Sequence, residues 1–310
     1  MLFGIWPGVV AADLVTLRPL DCPPEDPAAT LAALRDLQGR APGFLVRCYR
    51  HFGDGAVEHA GAVATPADPG RYSGEGRLID LVCCYQSPTP DAEGFAGFVR
   101  QAVRDVAGWG GGKVQVGEEL NLPAPLDGGS PGCFEAVAAG VRAALDEREQ
   151  HSVRVDVGVN SAGMADPEFW GRLAAALGPD LVQRLDYVGL DAFPDVFSPI
   201  PYDRLPTAVD FLVRRFRDVT AAVGIDRRTP IHVTETGWPT GLDRSEATQA
   251  RVLEAVARAV LAADPAIGAY EIFGLRDGTS SGSWQSRFGI LRDDYSRKPA
   301  FEAVRCLVGG

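Results

Sequence analysis

Eight short runs of strand-forming residues, each followed by a longer stretch, recur along the 310 residues of this chain, and that rhythm constrains its fold more than any single motif. The predicted strands are Leu2–Trp6, Gly43–Tyr49, Leu78–Tyr85, Lys113–Glu119, Val153–Asn160, Tyr187–Phe193, Ile231–Glu235 and Ala269–Leu275. Helical periodicity places helices near Pro27–Leu37, Ala92–Val106, Phe134–Glu149, Pro167–Leu177, Pro206–Val223, Ser245–Ala263 and Lys298–Leu307. Two of these carry start signals, Asp166 ahead of Pro167 and Ser245 ahead of a Val252, Val256, Val260 stripe. The segment from Tyr49 to Leu78 is rich in Gly, Ala and Pro, so an irregular connection is expected there. Alternating strands and helices build parallel βα units, and eight such strands close a ring. The expectation is one (β/α)₈ TIM barrel over residues 1–310.

The competing architecture, a doubly wound sheet, would announce a glycine-rich nucleotide turn after its first strand, and none is present. Trp109-Gly-Gly-Gly-Lys113 precedes a strand and lacks the Ser or Thr of a phosphate loop, so it reads as a helix-to-strand turn. The net charge of -11 argues against nucleic acid or an anionic membrane as partner, because phosphate surfaces would be repelled. Six cysteines (22, 48, 83, 84, 133 and 306) show no C-x-x-C spacing, which argues against a zinc site. Cys48, Cys83 and Cys84 lie in apolar strand-like runs, as buried free thiols do, and this favours a reducing compartment. Met1–Val10 lacks the charged segment of a signal peptide, and no apolar run reaches transmembrane length. A cytoplasmic protein without metal or cofactor is expected. Its oligomeric state has no signature in the sequence.

Reacting groups in such barrels sit at the carboxyl ends of the strands. The fourth strand ends Gly117-Glu118-Glu119-Leu120-Asn121, and the seventh ends Thr234-Glu235-Thr236-Gly237-Trp238-Pro239. Strands four and seven lie nearly opposite each other around an eight-membered ring, so acids at their tips can flank one small ligand. Two opposed carboxyls suit glycosidic cleavage, in which one protonates the leaving oxygen and the other stabilises or attacks the anomeric centre. A separation of about 5 to 5.5 Å would accompany retention of configuration.

The Thr234–Pro239 segment resembles the nucleophile motif of clan A glycoside hydrolases, and Gly117–Asn121 resembles their Asn-Glu-Pro-Asn acid/base motif. Tyr187-Val-Gly-Leu-Asp191-Ala-Phe193-Pro194 is similar to their sixth strand. Phe273-Gly-Leu-Arg-Asp277, Phe288-Gly-Ile-Leu and Lys298-Pro-Ala-Phe301 are similar to their eighth strand and closing helix. The resemblance implies that Glu235 is the nucleophile, that Glu119 is the general acid/base, and that Arg47, at the end of strand two, positions the nucleophile. This chain departs from the motif in having Glu118 where the clan has Asn and Leu120 where it has Pro. Strand alternation groups Glu118 with Val114 and Val116, whereas the motif points to Glu119; strand ends of this kind often carry bulges that break the parity.

Substrate-binding candidates are Arg47, Glu118, Asn160 at the end of strand five, Trp238 and Trp284. Trp6, Tyr49, Tyr85, Phe193 and Phe273 are further aromatic surfaces on which a sugar could pack. For each of these the alternative is an ordinary packing, capping or ion-pair role. Of the histidines 51, 59, 151 and 232, none has a triad or metal spacing; His51 could reach the barrel mouth, and His232 is expected to face helices or loops. The expected function is retaining O-glycoside hydrolysis of a carbohydrate or a glycosylated small molecule. Glycosyl transfer to a small metabolite or oligosaccharide, and a catalytically silent saccharide-binding barrel, are the alternatives.

Overall fold

The computed structural model describes residues 1–13, 18–53, 63–124, 127–241, 243–280 and 283–309. Eight parallel strands close into a barrel: β1 (Leu2–Trp6), β2 (Phe44–Phe52), β3 (Arg77–Tyr85), β4 (Gly112–Val116), β5 (Val155–Ala162), β6 (Tyr187–Asp191), β7 (Ile231–Thr236) and β8 (Ile267–Phe273). Each pairs with its sequence neighbours, and β1 closes the ring against β8 with Leu2 opposite Ala269 and Trp6 opposite Phe273. The (β/α)₈ barrel read from the sequence is the observed fold.

Among the described residues seven α-helices pack outside it: α1 (Pro27–Gln38), α2 (Ala92–Gly108), α3 (Cys133–Arg148), α4 (Phe169–Val182), α5 (Leu205–Ala222), α6 (Glu246–Ala263) and α7 (Pro299–Gly309). Among the described residues no α-helix joins β2 to β3. That connection contains Val63–Ala64, paired antiparallel with Val9–Val10, and a 3₁₀ turn at Pro69–Tyr72. Ser245 caps α6 by accepting from the Thr248 N–H, as its position suggested. Asp166 does not cap α4 directly. It accepts from the Glu168 N–H in a preceding turn, and the helix begins at Phe169. Near its end α4 is broken at Gly178 (φ 75°), ahead of Pro179.

Helix-facing strand residues are aliphatic, as in β4, where Val114 and Val116 are fully buried and Val116 packs against α3 beside Gly140. The inner face carries ionic groups among apolar ones such as Val82 and Cys84. Lys113 on β4 reaches Glu271 on β8 at 2.6 Å and Asp80 on β3 at 3.2 Å, contacts that cross the barrel interior. The two lysines of the whole chain, Lys113 and Lys298, are both buried, Lys298 on Asp277 at 2.8 Å. His232 corrects its expected outward placement. It is buried, with its ring stacked on Tyr187 at 4.2 Å, and the Tyr187 ring lies under the Lys113 ammonium.

Candidate active site

Two strand ends depart from regular alternation, and both departures carry glutamates. β4 stops at Val116, three residues before its expected end, because Gly117 turns left-handed (φ 84°) and Glu119 follows at φ 37°. A left-handed conformation is free for Gly and costs other residues energy, so the turn depends on Gly117 while Glu119 holds a strained backbone. The turn breaks the strand parity, as strand ends of this kind were expected to: Val114 and Val116 face the helices, and the Glu118 side chain is nevertheless brought inward onto Arg47. On β7 the register slips against both neighbours, Leu190 and Asp191 pairing with Val233 and Glu235, and Tyr270 and Ile272 with Val233 and Thr236. The slip is a β-bulge, and it lets consecutive residues Thr234 and Glu235 both reach the interior. Thr234 Oγ1 donates to Asp191 Oδ1 at 2.6 Å, while Glu235 meets Tyr49 and Arg47.

Arg47 organises the floor of the site. Its Nη1 donates to Asp80 Oδ2 (2.7 Å) and Gln115 Oε1 (3.1 Å), its Nε to the Tyr49 hydroxyl (2.8 Å) and its Nη2 to Glu118 Oε2 (3.0 Å), with Glu235 Oε1 at 3.5 Å. The Tyr49 hydroxyl donates to the same Oε1 of Glu235. Glu118 is held on both oxygens, Oε1 by Asn160 Nδ2 at 3.0 Å and Oε2 by Arg47 and Gln115. Asn160 also donates to Asp191 and accepts the Glu119 N–H at 3.0 Å. Asn121 clamps the turn to the end of β5, its amide exchanging two bonds with Ala162 (3.0 and 2.8 Å).

Carboxylate oxygens of Glu118, Asp191 and Glu235 lie within 4.8 Å of one another, close enough to share one cation. They already have protein partners in Arg47, Tyr49, Gln115, Asn160 and Thr234, so the donor set fits a carboxylate site better than a metal centre. The charge balance is uneven. Inside the barrel, five buried carboxyls (Asp80, Glu118, Asp191, Glu235 and Glu271) face two buried cations, Arg47 and Lys113. That excess favours the protonated form of several of these carboxyls. Burial raises Glu235 to about 8, with Glu118 adding to the rise and Arg47 and Tyr49 opposing it. Burial likewise raises Glu118 to about 8 against the pull of Arg47. Glu119 is pushed well above the carboxylate range by burial, then by Asp127, Glu235 and Glu118. Asp127, on the loop after β4, shares a side-chain hydrogen bond with Glu119 and is raised with it.

The structure therefore gathers Arg47, Glu118, Glu119, Asn160 and Glu235 at one mouth. Trp238 lies beside it but buried, its indole N–H donating to Asp195 Oδ2 at 3.1 Å. Trp284 is 37% exposed in the loops beyond β8. Trp6 and Tyr85 are core residues. His51 bonds Gln86 Oε1 at 3.0 Å, and His59 lies outside the described residues. Sequence reasoning missed Gln115, Asp127 and Asp191 as members of the cluster. Gln115 had a detectable signal, a polar residue alternating with Lys113 on an otherwise apolar strand, whereas Asp127 is brought in by loop geometry alone.

No family model and no curated protein matches the chain. Among solved structures, a glucosidase from Croceicoccus marinus matches with a TM-score of 0.64 and 16% identity, over 100% of this chain and 70% of that one. A family 39 glycoside hydrolase from Bacteroides cellulosilyticus WH2 matches with a TM-score of 0.61 and 15% identity, over 99% of this chain and 63% of that one. The fungal beta-1,4-galactanases match with a TM-score of 0.61 and 14% identity, over 99% of both chains. At these identities the likeness is one of fold: this chain is built on the same barrel as these glycosidases.

Proposed function

We propose that the protein is a retaining O-glycoside hydrolase in which Glu235 is the nucleophile and Glu119 the general acid/base. The observation that carries this reading is the unequal treatment of the two adjacent glutamates. Glu118 has both oxygens tied to Arg47, Gln115 and Asn160, whereas Glu119 is held through its backbone N–H on Asn160 while its carboxyl faces that of Asp127, which raises it further. A proton donor has to keep its proton and yet be able to release it, which suits Glu119. Arg47 and Tyr49 both meet Glu235 on Oε1, which among the described residues leaves Oε2 as the oxygen for attack.

In the first step Glu235 Oε2 forms a bond to the anomeric carbon while the glycosidic C–O bond breaks and the Glu119 proton passes to the leaving oxygen. In the second, Glu119 takes a proton from water, whose oxygen displaces Glu235 from the glycosyl ester. Arg47 and the Tyr49 hydroxyl favour the ionised form of Glu235 against burial and the surrounding carboxyls. Glu118, standing where the clan A motif has Asn, fixes the floor and offers its edge to the sugar hydroxyls. The substrate is a carbohydrate or a glycosylated small molecule.

Glu119→Ala should lower turnover of a glycoside with a poor leaving group roughly 10²–10⁴-fold. Activity on an activated aryl glycoside should return with added azide, yielding a glycosyl azide of retained configuration. Glu118→Gln should show no azide rescue, and Glu235→Gln should be inactive throughout. Rescue in the Glu118 variant instead, or turnover in Glu235→Gln, would reject the assignment. Product analysis with a competing alcohol distinguishes hydrolysis from transfer.

A further inference from the structure

A line of aromatic rings leads away from the nucleophile toward solvent. It starts at Tyr49, the donor to Glu235, which meets Trp6 edge-on at 5.7 Å; Trp6 stacks on Phe273 at 4.4 Å. Phe273 touches Phe193 at 5.8 Å, Phe193 touches Phe197 at 5.9 Å, and Phe197 meets Trp284 at 6.2 Å. Exposure rises from buried Tyr49 and Trp6, through half-buried Phe273 and Phe193, to Phe197 at 71%, and the line ends on Trp284 at 37%.

We propose that the outer rings, Phe193, Phe197 and Trp284, receive a flat apolar aglycone, so that the substrate is the glycoside of an aromatic or polycyclic alcohol and not a longer saccharide. This rests on the glycosidase reading of Glu119 and Glu235 and names the leaving group of that reaction. A second sugar on a ring face needs hydrogen-bonding groups beside it to hold its hydroxyls. Here the neighbouring polar groups are engaged with protein or, like Arg244 Nη1, buried away from solvent. Asp195 accepts from the Ile200 N–H (2.8 Å) and the Trp238 indole (3.1 Å). Arg244 Nη2 donates to the Val196 carbonyl (2.9 Å), and its guanidinium lies over the Trp238 and Trp284 rings at 5.1 and 5.5 Å. The phenylalanine rings have no polar edge to offer. A flat hydrocarbon surface needs none, and covering Phe197 with it removes apolar area from water. The occupant follows from where the outer rings begin: Phe193 lies 3.5 Å from where a Cβ on Gly237 would stand, two residues beyond Glu235, so a group on these rings adjoins a sugar placed over the nucleophile.

The test uses 2-naphthol as a probe with the full-length protein, and 2-naphthyl and methyl glycosides of one common sugar. Naphthol fluorescence should saturate with wild type, and its affinity should fall about tenfold or more in Phe197→Ala and in Trp284→Ala, with thermal melts reporting that both variants fold. The naphthyl-to-methyl ratio of kcat/KM should fall about tenfold in the same variants. Equal naphthol binding in wild type and both variants, or binding of an unsubstituted oligosaccharide that these substitutions abolish in place of naphthol binding, would overturn the proposal. Failure of the underlying glycosidase reading has a separate signature: no glycoside is turned over, or turnover survives Glu235→Gln, whatever happens to naphthol.

Discussion

Arg47 is the residue on which the candidate site turns, since one guanidinium touches Asp80, Gln115, Tyr49, Glu118 and Glu235. Its positive charge opposes the rise of the Glu235 carboxyl toward 8, so its removal must raise that carboxyl further. For the proposed reaction Glu235 has to be ionised, and the acidic limb of kcat/KM reports that ionisation within the coupled cluster. Arg47→Met should therefore move the acidic limb to higher pH, and Tyr49→Phe should move it the same way by a smaller amount; a limb that stays in place or shifts downward would show that these groups do not hold Glu235. Residue-level legibility was uneven. Glu235 announced itself through a six-residue segment, and Arg47 and Asn160 through their strand ends. The Tyr49 contact to Glu235 and the entry of Asp127 depend on side-chain reach and loop path, which no spacing in the chain encodes.

At the scale of elements, every barrel strand was foreseen, because aliphatic runs bounded by turns persist wherever a strand is buried against helices. Strand ends were less legible. β4 was expected to run to Glu119, but Gly117 stops it, and a lone glycine in a sequence does not declare its φ. The bulge on β7 was equally silent. The ionic filling of the barrel was hidden too: nothing in the sequence around Lys113 or Lys298 declares that both are buried. Lys113 joins β3, β4 and β8 through Asp80 and Glu271, so Lys113→Met leaves buried acids without their ammonium. Removing one partner of a buried pair costs about 3–5 kcal/mol, and replacing both by apolar groups of similar volume often costs far less. Lys113→Met should lower the unfolding free energy by that order, and Lys113→Met with Glu271→Leu should recover part of it in denaturant titrations. A single variant as stable as wild type would show that the interior ion pairs contribute nothing.

For the molecule as a whole, the excess of buried acids over buried cations links folding to protons. Glu118, Glu235 and Glu271 are each raised from 4.5 to about 8 in the folded state, with burial as the first cause in every case. Between those values the folded chain binds more protons than the unfolded one, so stability falls as pH rises. This contribution is complete below about pH 4.5 and gone above about pH 8. Thermal melts should show a higher Tm at pH 5.5 than at pH 8.5, and Glu271→Gln should flatten the slope; a Tm that is level or climbs across that range contradicts the charge balance. The same crowded interior also bears on how such a sequence can change over generations. Arg47, Asp80, Lys113, Glu118 and Glu271 come from separate stretches of chain but share each other's charges, so a replacement tolerated at one depends on what stands at the others. Descendants of this protein should vary at these places in concert, while the aliphatic residues under the helices drift one at a time.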